Sequence, residues 1–413
     1  MKSLALHHPT GLLTGTVHLP LSKSECNRLL IISALSNRHF QTLPLSEAED
    51  SQTLQRLIKQ AETHNNGEEF NVGAAGTTMR FLTAYFAVTP GVRILTGSER
   101  MKERPIGELV NALRQLGASI EYTGHEGYPP LRITGRRLSG GEVTMRGDVS
   151  SQFITALLLI APMLHNGLVI RFTSEVVSVP YINMTIRLME RYGATALWHD
   201  DVLSVSPQAY SAEETPAAIE PDWSAAAPWF AMAALAKDAD ILLAGLHENS
   251  LQGDRVLADL APFWGLSATF ESEGLRLRKT DTRPLNFAFD FEDCPDIAQS
   301  ASVIAAALRI PTLLNGLQTL RIKETDRIAA LQQELGKLNL RTTATNHSLE
   351  IIETSPLPAS VNIDTYEDHR MAMAFAPLAL CMNGLRINEP DVVRKSYPGF
   401  WDEMKKMGFE ISA

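Results

Sequence analysis

Seven residues, Arg321-Ile322-Lys323-Glu324-Thr325-Asp326-Arg327, hold three cations and two carboxylates. An apolar-periodic run from Ile328 to Leu335 follows at once, so Thr325 or Asp326 can cap a helix there. Lys323 and Arg327 then lie one turn apart, beside a helix start that favours anions. Alone, the stretch reads equally well as a solvated helix start with charge pairs four residues apart. Asp296 is a second acid/base candidate, in Glu292-Asp293-Cys294-Pro295-Asp296. Those acids would raise at least one pKa if they cluster, although Asp296 also fits a plain helix cap. Lys23 and His369 are further proton carriers, His369 reading first as a packing histidine. Cys26, near Lys23, is either a nucleophile or a small buried residue. The cations Lys23, Arg28, Arg104, Lys323, Arg327, Arg370 and Lys395 fit a ligand with more than one anionic group. No zinc spacing, GxGxxG or P-loop occurs, so no metal and no cofactor is expected.

These residues sit on a repeat. Six small or polar heads each precede an Ala/Leu/Met-rich helical run, and are marked by Ser24, Gly76, Ser150, Asp222, Asp296 and Asp368. The steps between them are 52, 74, 72, 74 and 72 residues, a period near 73. A second helical run ends at Gly117, Gly193, Gly265, Asn339 and Gly408, with steps of 76, 72, 74 and 69. Those residues tolerate left-handed backbone and suit helix ends. Short strand-like runs, Val92–Leu95, Leu168–Arg171 and Ile241–Leu243, lie between. The fold class is mixed α/β, with one buried and one half-exposed helix per unit.

Six units suggest two domains of three. Only 45 residues follow Asp368, so the last unit is short. The strand-like Gly15–Leu19 is expected to complete the C-terminal domain, which puts residues 1–20 with 219–413 in that domain and 21–218 in an N-terminal domain. Pro216-Ala217-Ala218 fits the second crossing. The first unit is about 20 residues short between Glu47 and Asn71, where His64-Asn65-Asn66-Gly67 reads as a turn. Domains placed face to face would make a cleft walled by helix starts, an anion trap.

Composition fits this. Hydrophobic content of 45% and charged content of 20% are those of a globular chain, and 413 residues exceed one ordinary core. A net charge of −10 without a basic stripe argues against nucleic acid. The longest apolar run, Phe153 to Leu164, is too short for a bilayer and contains Pro162. Cys26, Cys294 and Cys381 make no disulfide framework, and the first residues lack a leader's apolar core. A cytoplasmic monomer is expected.

Nine stretches carry a resemblance. They are Lys23-Ser24-Glu25-Cys26-Asn27-Arg28, Gly76-Thr77-Thr78-Met79-Arg80, Arg100-Met101-Lys102-Glu103-Arg104-Pro105-Ile106, Ser150-Ser151-Gln152-Phe153 and Ser178-Val179-Pro180-Tyr181. Pro295-Asp296, Lys323-Glu324-Thr325-Asp326-Arg327, Asp368-His369-Arg370-Met371-Ala372-Met373 and Lys395-Ser396-Tyr397-Pro398 complete the set. In this order they resemble the 5-enolpyruvylshikimate-3-phosphate (EPSP) synthase family over essentially the whole chain.

The resemblance implies two domains of three pseudo-symmetric βαβαββ units with buried helices, an inside-out α/β barrel, and an active site in the cleft between them. It implies enolpyruvyl transfer from phosphoenolpyruvate to the 5-hydroxyl of shikimate 3-phosphate by addition and elimination, releasing phosphate. By the family's pattern Lys23, Ser24, Arg28, Ser150, Ser151, Gln152, Ser178, Tyr181, Asp296, Thr319 and Lys323 hold shikimate 3-phosphate. Lys23, Gly76, Arg104, Gln152, Arg327, Arg370 and Lys395 hold phosphoenolpyruvate. Asp296, Glu324 and Lys23 share the proton transfers.

The chain departs from the pattern at Ala74-Ala75, Phe81, Thr319, Glu367, Pro221 and Trp223. Two alternatives remain at this stage: a UDP-N-acetylglucosamine enolpyruvyl transferase, for which no cysteine here sits in a matching glycine-rich loop, and a non-catalytic anion-binding relative.

Overall fold

Each head opens a buried helix. These are α1 (Lys23–Leu35), α3 (Gly76–Val88), α6 (Ser151–Ile160), α8 (Trp223–Leu235), α10 (Ala298–Leu308) and α12 (His369–Phe375). Ser22, Ser150, Asp222 and Asp368 cap four of them by accepting backbone N–H bonds, each cap contributing about 1 kcal/mol. A short 3-10 turn, Pro295–Ile297, leads into α10. The computed structural model describes residues 2–36, 45–64, 66–211, 218–282, 285–353 and 355–413.

The half-exposed helices are α5 (Gly107–Gln115), α7 (Val179–Arg191), α9 (Leu257–Leu260), α11 (Arg327–Lys337) and α13 (Phe400–Lys406), with a single turn, α4 (Glu99–Lys102), before α5. After them the chain turns left-handed at Gly117, Gly193, Gly265, Asn339 and Gly408, with φ of 94°, 84°, 71°, 63° and 93°. A Cβ in that conformation costs about 1–2 kcal/mol, which is why four of the five are glycine.

Two units emerge: one runs to Leu21 and resumes at Glu220, and the other is Ser22–Ile219. In the unit holding both termini, three separate four-stranded sheets cover α8, α10 and α12. The first has the order β12 (Leu266–Glu271), β13 (Gly274–Lys279), β11 (Asp238–Ala244), β2 (Leu12–Val17). The second has β14 (Phe287–Asp290), β15 (Thr312–Asn315), β17 (Leu349–Glu353), β16 (Arg341–Ala344). The third has β18 (Ser360–Ile363), β19 (Gly384–Asn388), β1 (Ser3–His7), β20 (Glu410–Ser412).

Each sheet has one parallel pair and an antiparallel extension, and in the second sheet these form a βαβ unit, β14-α10-β15, followed by the hairpin of β16 and β17. Every residue of α8 except Ser224 is buried, and a side chain such as Phe230 contributes about 1.5–3 kcal/mol by that burial.

In the second unit, one sheet has the order β3 (Asn66–Asn71), β4 (Gly91–Thr96), β6 (Leu131–Gly135), β5 (Ser119–Tyr122). The other has β7 (Gly141–Met145), β8 (Leu168–Phe172), β10 (Val202–Val205), β9 (Ala196–His199). The first covers α3, which packs on α6, and both pack on α1.

The N-terminal segment does more than the sequence suggests. Two strands precede the crossing. β2 ends at Val17 and pairs parallel with β11, while β1 lies between β19 and β20 and completes the short last repeat. The chain leaves and re-enters this unit side by side, with Asp222 N donating to Pro20 O at 2.8 Å. Of the crossing expected at Pro216–Ala218, Pro216 and Ala217 lie outside the described residues. The short first repeat is α1 followed by α2 (Glu49–Thr63), which passes straight into β3 of the next repeat. What it lacks among the described residues is its closing hairpin. The turn expected at His64–Gly67 is therefore a helix end entering a strand, and its Asn65 lies outside the described residues. No helix among the described residues is long and apolar enough to cross a membrane.

Candidate active site

In the unit holding the termini, the heads of repeats five and six meet. Arg370, two residues into α12, donates from Nη2 to Asp296 Oδ2 at 2.9 Å and from Nη1 to the Asp296 carbonyl at 3.0 Å. Asp326 caps α11 through the Ala329 N–H at 3.1 Å. That aims Arg327, the first helical residue, inward. Its side chain is 1% exposed and grips three carboxylates. Nη1 reaches Asp296 Oδ1 at 2.9 Å, Nη2 reaches Glu324 Oε2 at 3.0 Å, and Nε reaches Asp368 Oδ2 at 2.6 Å. Lys395, at the end of a 3-10 turn (Pro390–Lys395), holds the other Glu324 oxygen at 2.6 Å. Lys323 Nζ stands 3.5 Å from Asp296 Oδ1.

Burial would raise the Asp296 carboxyl, but Arg370, Lys323 and Arg327 together hold it well below the usual range. At Asp296 the expectation of a raised pKa is overturned, because the cations outweigh burial and the Glu324 carboxylate. The raised acid is Asp254, in the 3-10 turn Gly253–Val256. Burial first, and Asp296 second, push it up to about 6. Burial lowers Lys323, opposed by Asp296. Burial opposes the charge on Arg327, yet Asp368, Glu324 and Asp296 raise its pKa.

In the second unit the heads of repeats two and three meet likewise. Gln152 Nε2, in the first turn of α6, donates to Thr77 Oγ1 in the first turn of α3 at 3.2 Å. Arg28, on α1, is fixed by Thr185 Oγ1 at 2.8 Å, the Ser24 carbonyl at 2.7 Å and the Tyr181 carbonyl at 3.1 Å. Burial pushes its pKa down to about 10. Lys23 Nζ lies 3.5 Å from Asp50 Oδ2. Ser150 caps α6 beside Ser151, and Ser178 precedes α7 in a left-handed conformation, φ 56°. The Arg104 guanidinium lies against the start of α3, so close that a Cβ on Gly76 would sit 2.6 Å from its Nη1. Arg104 is 6% exposed, and among the described residues its side chain has no hydrogen-bond or ion-pair partner. A buried cation beside a helix start is suited to an anion.

The profile of the family described as "EPSP synthase (3-phosphoshikimate 1-carboxyvinyltransferase)" matches residues 38–404. The chain belongs to the EPSP synthase family. A 3-phosphoshikimate 1-carboxyvinyltransferase from Bacteroides fragilis is 48% identical over 403 residues, 96% of each chain. One from Vibrio cholerae serotype O1 is 34% identical, covering 98% of this chain and all of that one. Among solved structures, EPSP synthase from Acinetobacter baumannii superposes with a TM-score of 0.78 at 21% identity, covering all of both chains. The enolpyruvyl transferase NikO from Streptomyces tendae gives 0.74 at 15%, covering all of this chain and 98% of that one. These two bear on fold alone, and that fold is the two-domain enolpyruvyl transferase architecture.

Against the EPSP synthase pattern, the expected residues fall into two groups. Lys23, Ser24, Arg28, Gly76, Arg104, Ser150, Ser151, Gln152, Ser178 and Tyr181 lie in Ser22–Ile219, and Asp296, Thr319, Lys323, Glu324, Arg327, Arg370 and Lys395 in the other unit. The Thr319 hydroxyl is buried without a partner among the described residues. His369 is buried in α12, 3.5 Å from Asp368 Oδ1. Cys26 is fully buried and burial raises its thiol, which removes the nucleophile reading. Sequence reasoning missed Asp50, Thr77, Thr185, Asp254 and the grip of Asp368 on Arg327. Asp368 alone carried a usable signal, its cap position two residues before Arg370.

Proposed function

We propose that the chain transfers the enolpyruvyl group of phosphoenolpyruvate to the 5-hydroxyl of shikimate 3-phosphate and releases phosphate. The observation that carries this reading is Asp296, a carboxylate held between Lys323, Arg327 and Arg370. It combines a proton acceptor with cations for phosphate and carboxylate groups. In the first step the 5-hydroxyl oxygen bonds to C2 of the enol, its proton passes to Asp296, and C3 takes a proton from Glu324. The tetrahedral ketal phosphate then returns a C3 proton to Glu324 as the C2–O bond to phosphate breaks, and the departing phosphate takes the proton held by Asp296. Substrate anions that draw Arg327 and Arg370 away leave Asp296 with fewer cations, which raises its proton affinity when a base is needed.

Lys23, Ser24, Arg28, Ser150, Ser151, Gln152, Ser178, Tyr181, Thr319 and Lys323 bind shikimate 3-phosphate in this reading. Gly76, Arg104, Arg327, Arg370 and Lys395 bind phosphoenolpyruvate, with Lys23 and Gln152 shared. In this reading a monomer supplies every group.

Phosphate release with phosphoenolpyruvate and shikimate 3-phosphate is the expected result. Release with UDP-N-acetylglucosamine instead, or binding of both ligands without release, overturns the reading. Glu324→Gln is expected to keep ligand binding and to lose about 10²–10⁴-fold in kcat, the range for a positioned proton carrier. A near wild-type rate removes Glu324 from the proton steps.

A further inference from the structure

Two consecutive non-glycine residues, Tyr366 and Glu367, adopt left-handed backbone, with φ of 53° and 56°. They stand immediately before Asp368, the residue that holds Arg327 and caps the helix carrying Arg370. Left-handed residues with a Cβ are uncommon, and two in succession persist only where the surroundings impose them.

The imposing contact comes from α11. Glu334, fully buried, accepts the Tyr366 hydroxyl at Oε1 (2.5 Å) and the Asp364 N–H at Oε2 (3.1 Å). Lys337, on the same helix, binds Glu334 Oε2 at 2.7 Å and Asp364 Oδ2 at 2.8 Å. Arg327 precedes Glu334 by seven residues, so the two share one face of α11. That face pins the segment 364–368 at both ends: Glu334 holds Asp364 and Tyr366, and Arg327 holds Asp368.

We propose that Glu334 and Tyr366 are positioning residues, which hold the left-handed turn and through it set Asp368, Arg327 and Arg370 for the substrate anion. A carboxylate this well buried has an ordinary alternative role in stabilising the fold, and that role predicts a different result. Loss of a structural tie lowers Tm and leaves the binding of the two substrates equally affected. Loss of a positioning tie acts on the anion that Arg327 and Arg370 hold. The inference rests on the reading that this anion is phosphoenolpyruvate.

The test uses steady-state kinetics on the full chain with both substrates varied. Tyr366→Phe deletes one hydroxyl and is expected to raise KM for phosphoenolpyruvate about tenfold, since small misplacements of binding groups are felt strongly. KM for shikimate 3-phosphate is expected to stay within about twofold, because its expected contacts lie mainly elsewhere. Adding Glu367→Gly should restore KM for phosphoenolpyruvate to within about threefold, because glycine takes the left-handed turn without the tether. Glu334→Gln is a second route to the same loss, since it turns one acceptor oxygen into a donor facing either the Tyr366 hydroxyl or the Asp364 N–H. An unchanged KM for phosphoenolpyruvate in both single variants overturns the inference. So does a loss shared equally by the two substrates that the glycine does not repair. Wild-type protein that fails to turn over these substrates would instead overturn the functional reading.

Discussion

The two units hold their buried cations in different ways. In the unit holding the termini, Lys323, Arg327, Arg370 and Lys395 are met by Asp296, Glu324 and Asp368. In the other unit Arg28 rests on two carbonyls and a hydroxyl, Arg80 donates to the Gly76 and Pro105 carbonyls, and Arg104 has no partner among the described residues. Carbonyl dipoles position a guanidinium without cancelling its charge. Carboxylates position it and nearly neutralise it. The first arrangement makes a receptor for anions. The second makes a cluster in which a proton can be exchanged, because taking one cation away changes the proton affinity of the carboxylates left behind.

The largest effect expected from this contrast is that of Arg327→Ala. Asp368 and Arg327 are almost completely buried, and removing one member of a buried pair costs about 3–5 kcal/mol by stranding the other charge. Urea denaturation should show that loss alongside lost turnover. Unchanged stability would mean that the carboxylates find other partners, and the contrast between the halves would weaken.

Asp254 sharpens the contrast from within one unit. Both Asp254 and Asp296 are buried, but Asp254 has only the field of Arg370 and a hydrogen bond from the Ser224 hydroxyl to offset that burial, and its Oδ1 has no hydrogen-bond partner among the described residues. Its pKa rises from 3.8 to about 6 where that of Asp296 falls. A raised carboxyl binds its proton more tightly in the folded state. Its contribution is thus full below the unfolded pKa of 3.8 and lost as pH rises through about 6. Two pKa units correspond to roughly 3 kcal/mol. Asp254→Asn does not titrate, so its stability relative to wild type should improve by about that amount between pH 4 and pH 7. A flat difference across that range would show that Asp254 is ionised throughout.

Arg104→Ala tests the receptor half. No carboxylate is left stranded, so stability should change little. A lost charge-assisted contact is worth about 1.5–3 kcal/mol, or about 10- to 100-fold in KM for phosphoenolpyruvate. A stability loss as large as that of Arg327→Ala would show that Arg104 is paired after all.

What was legible in the sequence was local. Caps such as Ser150, Asp222 and Asp368, and left-handed helix ends such as Gly193 and Asn339, depend on neighbours a few residues away, so their spacing exposed the repeat. The convergence of heads then followed from the period: Gln152 meets Thr77 and Arg370 meets Asp296 across 75 and 74 residues. Pairings that ignore the period stayed hidden. Nothing in Ser3–His7 announces that it lies between strands more than 370 residues away. Likewise, nothing in Gln252-Gly253-Asp254 announces an acid beside Asp296. The strain at Tyr366 and Glu367 was equally invisible, because neither residue type signals positive φ.

The smallest effect expected belongs to Gly76, and it asks how rigid the receptor half is. A methyl group at this position would lie 2.6 Å and 2.8 Å from the two terminal nitrogens of Arg104. That is too close, but what it meets is the far end of a flexible side chain, not backbone. Gly76 opens α3 without positive φ, so alanine fits the helix and adds about 1 kcal/mol of helical preference. Gly76→Ala should therefore fold as well as wild type and displace the Arg104 guanidinium. KM for phosphoenolpyruvate should rise a few-fold, less than in Arg104→Ala, because the charge stays nearby. In the double variant the two effects should fail to add, since the methyl group acts only through the arginine. Additive losses would mean that the methyl group meets the substrate directly, and the close approach to Arg104 would then not be what keeps this position small.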